Sequence, residues 1–129
     1  MSNPIVTFEM ENGDVMKAEL YPEIRFTFDT KMAAFHNQLD ALYLPENAWL
    51  WPRIAHFHVN DYAGGYMDWD HLRVMALGQG HIDFDRFFAF VKTMGYQGNF
   101  THEGTALNPD GTVRFGELNE SLNKIRAAT

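Results

Sequence analysis

Cysteine is absent from all 129 residues. That removes disulfides, thiolate metal sites and a cysteine nucleophile. Basic residues are scarce: ten Lys and Arg stand against seventeen Asp and Glu, a formal charge of −7. Such a balance lacks the basic footprint of a nucleic-acid binder. Apolar runs are short, and none approaches the ~20 residues of a membrane span. No basic-then-apolar signal opens the chain, so the expectation is a soluble, cytoplasmic protein. Internal repeats and low-complexity tracts are lacking as well. Length is a further limit: one domain fits, whereas a full eight-stranded α/β barrel takes ~200 residues or more. Apolar residues are plentiful, at 46 % with eleven Phe, enough to build a core.

The order of segments points to an α/β fold. Residues 4–20 read as a β-hairpin: Ile5-Val6-Thr7-Phe8, a turn at Asn12-Gly13, then Val15 to Leu20. Tyr21-Pro22 breaks the pattern. From Arg25 onward, short strands alternate with helix-length segments, the texture of βα units and a parallel sheet. The first strand is Arg25 to Asp29, followed by a helix with Thr30 as N-cap and Phe35, Leu39 and Leu42 on one face. Pro45 stops it, and Ala48 to Trp51 adds a helical turn. The second strand is Ile54 to Val59, and a long loop then runs from Asn60 to about Ile82. The next helix starts at Asp83, buries Phe84, Phe87, Phe88 and Val91, and ends at Gly95. The third strand is Asn99 to Glu103, a turn occupies residues 108–111, and a last helix near Glu117–Arg126 buries Leu118, Leu122 and Ile125.

Side chains alternate across a strand, so parity sorts each face. Arg25, Thr27 and Asp29 share one face; so do Ile54, His56 and His58, and so do Asn99, Thr101 and Glu103. Each mainly polar face ends in a potential metal ligand at the carboxyl end of its strand: Asp29, His58 and Glu103. Parallel α/β sheets bind their ligands outside those ends. Carboxylates with imidazole suit a divalent ion such as Mn, Mg, Co or Zn. Two plainer roles stand beside this one: Asp29 can cap a helix, and a histidine pair on a strand can be hydrogen-bonded core. His102 is the misfit, a polar residue on the apolar parity.

Other features carry less. Gly78-Gln79-Gly80 has neither the spacing of a dinucleotide loop nor a following Gly-Lys-Ser/Thr, so it gives no phosphate cradle. Asn60 and Asp61 either orient the site, touch substrate or make a turn. Trp49, Trp51 and Trp69 either line a sugar-sized pocket or pack. Asp68, Asp70 and His71 form an acid–imidazole cluster in the long loop. His36 and His71 read as surface or loop residues, and His81 lies near a helix start.

Four segments carry a family resemblance: Phe28-Asp29-Thr30, His56-Phe57-His58-Val59-Asn60-Asp61, Leu77 to Phe84, and Gly95 to Glu103. In order and spacing, residues 25–129 resemble the C-terminal part of the sugar-phosphate isomerase/epimerase family. That is the xylose-isomerase-like barrel group, which also includes the endonuclease-IV-type enzymes. The resemblance implies a partial TIM barrel, its last three βα units with parallel strands, preceded by the N-terminal hairpin. It implies that Asp29, His58 and Glu103 are metal ligands and that Glu103 is also a catalytic acid/base. Family members shift a proton beside a ketose carbonyl, so a sugar or sugar phosphate is the implied substrate, with His56, Asn60 and Asp61 placed to contact it. Two departures are visible. Met32 stands where many members carry a histidine, and the strand that supplies the second catalytic carboxylate has no counterpart here. Residues 1–24, from Asn3-Pro4-Ile5 through Tyr21-Pro22-Glu23-Ile24, resemble instead the N-terminal hairpin of a cyclophilin-type prolyl isomerase, without that enzyme's catalytic core.

Three functions follow as alternatives. One is a metal-assisted sugar isomerase or epimerase completed by further strands. Another is a catalytically inactive fragment that acts only as a small α/β domain or as an oligomer formed through exposed barrel edges. The third is peptidyl-prolyl isomerase activity, suggested by the hairpin alone.

Overall fold

Three parallel strands form the centre of the molecule, and their order follows from the alternation of strand and helix along the chain. In the computed structural model the described residues are 23–103 and 106–129, together with the backbone of residues 7–9 and 15–17. Strands β1 (Thr7–Glu9) and β2 (Val15–Lys17) pair antiparallel, Phe8 opposite Met16. The Asn12-Gly13 turn and the Tyr21-Pro22 break lie outside the described residues.

The central sheet has the order β3 (Phe26–Asp29), β4 (Ile54–His58), β7 (Asn99–Thr101), all parallel. Between β4 and β7 the chain makes a second, antiparallel pair, β5 (Asp61–Ala63) with β6 (Arg73–Met75). From the sequence, this stretch is expected to be loop. Three residues per strand are too few to establish an alternating pattern.

Register places one phenylalanine from each central strand in a row: Phe28 pairs with Phe57, and Phe57 with Phe100. Helix α3 (Phe84–Thr93) covers that row, with Phe87 5.4 Å from Phe57 and Phe88 5.8 Å from Phe100, centroid to centroid. The helix is as its sequence implies. Asp83 caps it through the Arg86 N–H, Phe84, Phe87, Phe88 and Val91 are buried, and Gly95 ends it at φ 74°.

Three expectations are corrected. The helix after β3 begins one residue earlier in its capping than expected: Asp29, not Thr30, is the N-cap, its Oδ1 accepting from the Met32 N–H at 3.0 Å. That helix is also two pieces, α1 (Thr30–Phe35) and α2 (Leu39–Leu42), broken where Asn37 takes a left-handed φ of 56°. The last helix, α4 (Phe115–Ala128), is longer than expected and buries Ser121 and Ile125, while Leu118 and Leu122 are only half-buried. Ser121 sits inward because its Oγ accepts from the Leu77 N–H.

The parity rule fails once. Ile54 has the parity of the histidines yet is buried in the core. Phe26 pairs with Ile54 and Thr27 with His56, which leaves Ala55 as an extra residue. A bulge of this kind resets the alternation.

Candidate metal centre

Asp29, His58 and Glu103 come from three consecutive sheet positions. Asp29 and His58 are register partners, as are His58 and Thr101, and Glu103 lies two residues past Thr101 on the same parity. Each therefore points from the same face at the carboxyl end of the sheet. One ligand atom from each lies within 4.8 Å of the others. His58 Nδ1 is 3.5 Å from Glu103 Oε1 and 3.8 Å from Asp29 Oδ2. These separations are too long for strong hydrogen bonds. They match atoms ranged around a common point: two ligands ~2.1 Å from one ion, at a tetrahedral angle, lie ~3.4 Å apart. Among the described residues no other group of three ligating side chains converges in this way.

The cluster opens outward by degrees. Side-chain exposure rises from 19 % at Asp29 through 31 % at His58 to 49 % at Glu103. Asp29 has two tasks at once, since its Oδ1 caps α1 while Oδ2 faces His58. The capping role and the site role that the sequence left as alternatives are thus shared between two oxygens of one carboxylate. Met32, at the position where the resemblance implies a histidine, contributes its backbone N–H to that cap.

His56 lies one step down the same face. Its Nε2 is 2.6 Å from Thr101 Oγ1, and its ring meets the His58 ring edge-on at 5.3 Å. His102, the misfit by parity, turns its Nδ1 to the Val59 carbonyl at 2.8 Å. A carbonyl accepts, so Nδ1 carries the proton.

Asn60 and Asp61, for which the sequence leaves site orientation, substrate contact or a turn open, both bond within the protein. Both are fully buried. The Asn60 Nδ2 donates to Asp29 Oδ2 at 3.3 Å and to Glu103 Oε2 at 3.1 Å. Its Oδ1 accepts from the Glu103 N–H at 3.0 Å. Asp61 faces the other way, and its carboxylate accepts from the backbone N–H groups of Tyr62, Gly78, Gly80 and Ile82. The Gly78-Gln79-Gly80 segment, which offers no phosphate cradle, is in fact a nest for this internal anion. Glycine is required at position 80, because a Cβ there would run into the Tyr62 carbonyl and the Asp61 carboxylate.

The remaining candidates lie in packing or on the surface. Trp49 meets Phe26 edge-on, Trp51 packs on Phe90 and donates its Nε1–H to the Leu42 carbonyl, and Trp69 lies 4.4 Å from Phe35. His36 Nδ1 meets the Met32 carbonyl, and His81 Nε2 accepts from the Gly64 N–H. His71 pairs with Asp68 on the surface at 2.8 Å, without Asp70. No helix of the described residues is long and apolar enough to cross a membrane.

No curated protein gives a significant match to the sequence. The family comparison is positive. Its match begins at residue 10, inside the segment that resembles a cyclophilin, and nothing found supports that second resemblance. It runs through residues 10–125, and with three parallel strands and a ligand cluster at their carboxyl ends already in place, the chain belongs to the xylose isomerase-like TIM barrel family.

Proposed function

We propose that this chain supplies the metal-holding face of a sugar isomerase or epimerase site, acting on a ketose or ketose phosphate. The observation that carries the reading is the convergence of Asp29, His58 and Glu103 within 4.8 Å at three neighbouring strand ends. Two carboxylates and an imidazole suit Mn, Mg, Co or Zn. Two carboxylates at one spot repel, and a cation among them offsets that repulsion. A divalent ion bound there supplies Lewis-acid stabilisation of an oxyanion beside the substrate carbonyl.

The chain's own groups divide the remaining work. Asp29 and His58 hold the inner side of the site. Glu103 is the most exposed of the three, and its carboxylate is one of the two acid/bases that move the proton next to the carbonyl. His56 borders the site through its contact with His58 and presents a ring to the substrate hydroxyls. The second catalytic carboxylate of such a reaction has no counterpart identified among the described residues.

Calorimetric titration with MnCl2 tests the metal-holding role. The unaltered chain binds one ion, and Glu103→Ala weakens binding by more than the ~10–100-fold typical for loss of a mere outer-shell partner. Equal affinities in the two proteins would remove the site.

One observation favours a second, non-enzymatic reading. Among the described residues β3 and β7 each pair with β4 alone, and an apolar cavity of about 240 Å³ lined by Phe26, Phe28, Leu42 and Leu50 lies against β3. Open strand edges pair with other chains. In that reading a second copy covers the edge, and a monomer across all concentrations in light scattering would exclude it.

A further inference from the structure

We propose that Asn60 is a positioning residue, a neutral clamp that sets the separation and orientation of the Asp29 and Glu103 carboxylates. The inference rests on the metal-holding reading above and adds to it a residue that itself ligates nothing. Asn60 is 0 % exposed, at the end of β4 where the chain leaves the sheet. A polar side chain is stable there only if its groups are paired.

They are paired with the site. An amide nitrogen has two N–H donors. The Asn60 Nδ2 lies within bonding distance of one oxygen of each carboxylate, Asp29 Oδ2 and Glu103 Oε2. The amide oxygen accepts the Glu103 N–H, so Glu103 is held at both its backbone and its side chain. The backbone of Asn60 is fixed too. Its N–H donates to Thr30 Oγ1 at 3.0 Å, and its carbonyl accepts from the same hydroxyl at 2.7 Å. Thr30 is the first residue of α1 and is itself fully buried. One residue thus joins the ends of β3, β4 and β7.

This arrangement decides which oxygens face inward. With Glu103 Oε2 occupied by Asn60, Oε1 is the oxygen turned to His58. With Asp29 Oδ1 occupied by the helix cap, Oδ2 is the oxygen turned to His58, and the Asn60 amide steadies that same oxygen at 3.3 Å. A neutral donor suits the task. It draws two like charges toward one point without adding a cation that would compete with a metal ion. Outer-shell groups of this kind orient ligands and raise affinity.

The experiment has two arms on the metal-free and Mn-titrated chain, comparing the unaltered protein with Asn60→Ala. In calorimetry, Mn affinity falls by about 10–100-fold in the variant. In amide hydrogen exchange without metal, the Glu103 N–H exchanges about tenfold faster. The Val59 N–H, bonded to the Thr101 carbonyl, keeps its protection because the sheet is intact. Unchanged Mn affinity together with unchanged Glu103 exchange would overturn the proposal. If the unaltered chain binds no Mn, the functional reading fails, and the exchange arm still decides whether Asn60 positions Glu103. If Asn60→Ala does not fold, the side-chain amide protons of Asn60 decide in its place. They exchange more slowly than those of exposed Asn37 and speed up in Glu103→Ala. Insensitivity to Glu103→Ala would overturn the clamp.

Discussion

Phe57 and His58 are neighbours on one strand, and they belong to two different regions of the molecule. Phe57 is fully buried in a row of phenylalanines under α3. His58 looks out from the opposite face between two carboxylates, none of its site contacts shorter than 3.5 Å. The apolar face obtains its stability from area removed from water, which is non-directional and tolerant. The polar face gains little stability from its open geometry, and its value lies in the distances it holds. Fold and site are therefore separable by a step of one residue.

Three measurements test that contrast. The largest effect is expected at Phe57→Ala, which leaves a cavity among Phe28, Phe87, Tyr96 and Phe100 and costs about 3–5 kcal/mol in denaturant unfolding. Next is His58→Ala. It removes a half-exposed ring, costs no more than about 1 kcal/mol, and abolishes Mn binding. Equal losses of stability at the two positions would erase the distinction between the faces. The smallest effect concerns Tyr43, in the helical layer on the Phe57 side. Burial pushes its hydroxyl up to about 12, with the Arg86 guanidinium partly opposing and Asp40 and Asp83 adding to the rise. The unfolded chain ionises first, so stability is whole below pH 10 and declines as the pH rises from 10 toward 12. In Tyr43→Phe, thermal melts across that range show a shallower decline.

Much of this was readable from the chain. Period-two parity and the rule that ligands gather at strand carboxyl ends picked out Asp29, His58 and Glu103, although they are scattered through the sequence. Helix α3 was legible because its phenylalanines repeat at helical spacing behind an Asp cap. For Asn60 and Asp61 the sequence offers orientation of the site among its alternatives, but not the partners. Asn60 meets Asp29 and Glu103 at separations of 31 and 43 residues, and no local pattern encodes such a bridge. Asp61 binds N–H groups 17 to 21 residues downstream. The break between α1 and α2 was hidden for a related reason. Phe35, Leu39 and Leu42 keep helical spacing, and it is a single left-handed residue, Asn37, that interrupts the helix.

The nest around Asp61 has a consequence for how this protein can change. One carboxylate, three residues past His58, gathers the chain as it leaves β4 and again as it returns at Gly78, Gly80 and Ile82. The excursion between is closed at its neck, like a purse on a drawstring. Its tip carries exposed Tyr66, Met67 and Trp69. Lengthening a closed surface loop costs little entropy. Residues 64–72 can thus change in length while the neck keeps His58 in register, so long as a side chain still covers Phe35 where Trp69 lies.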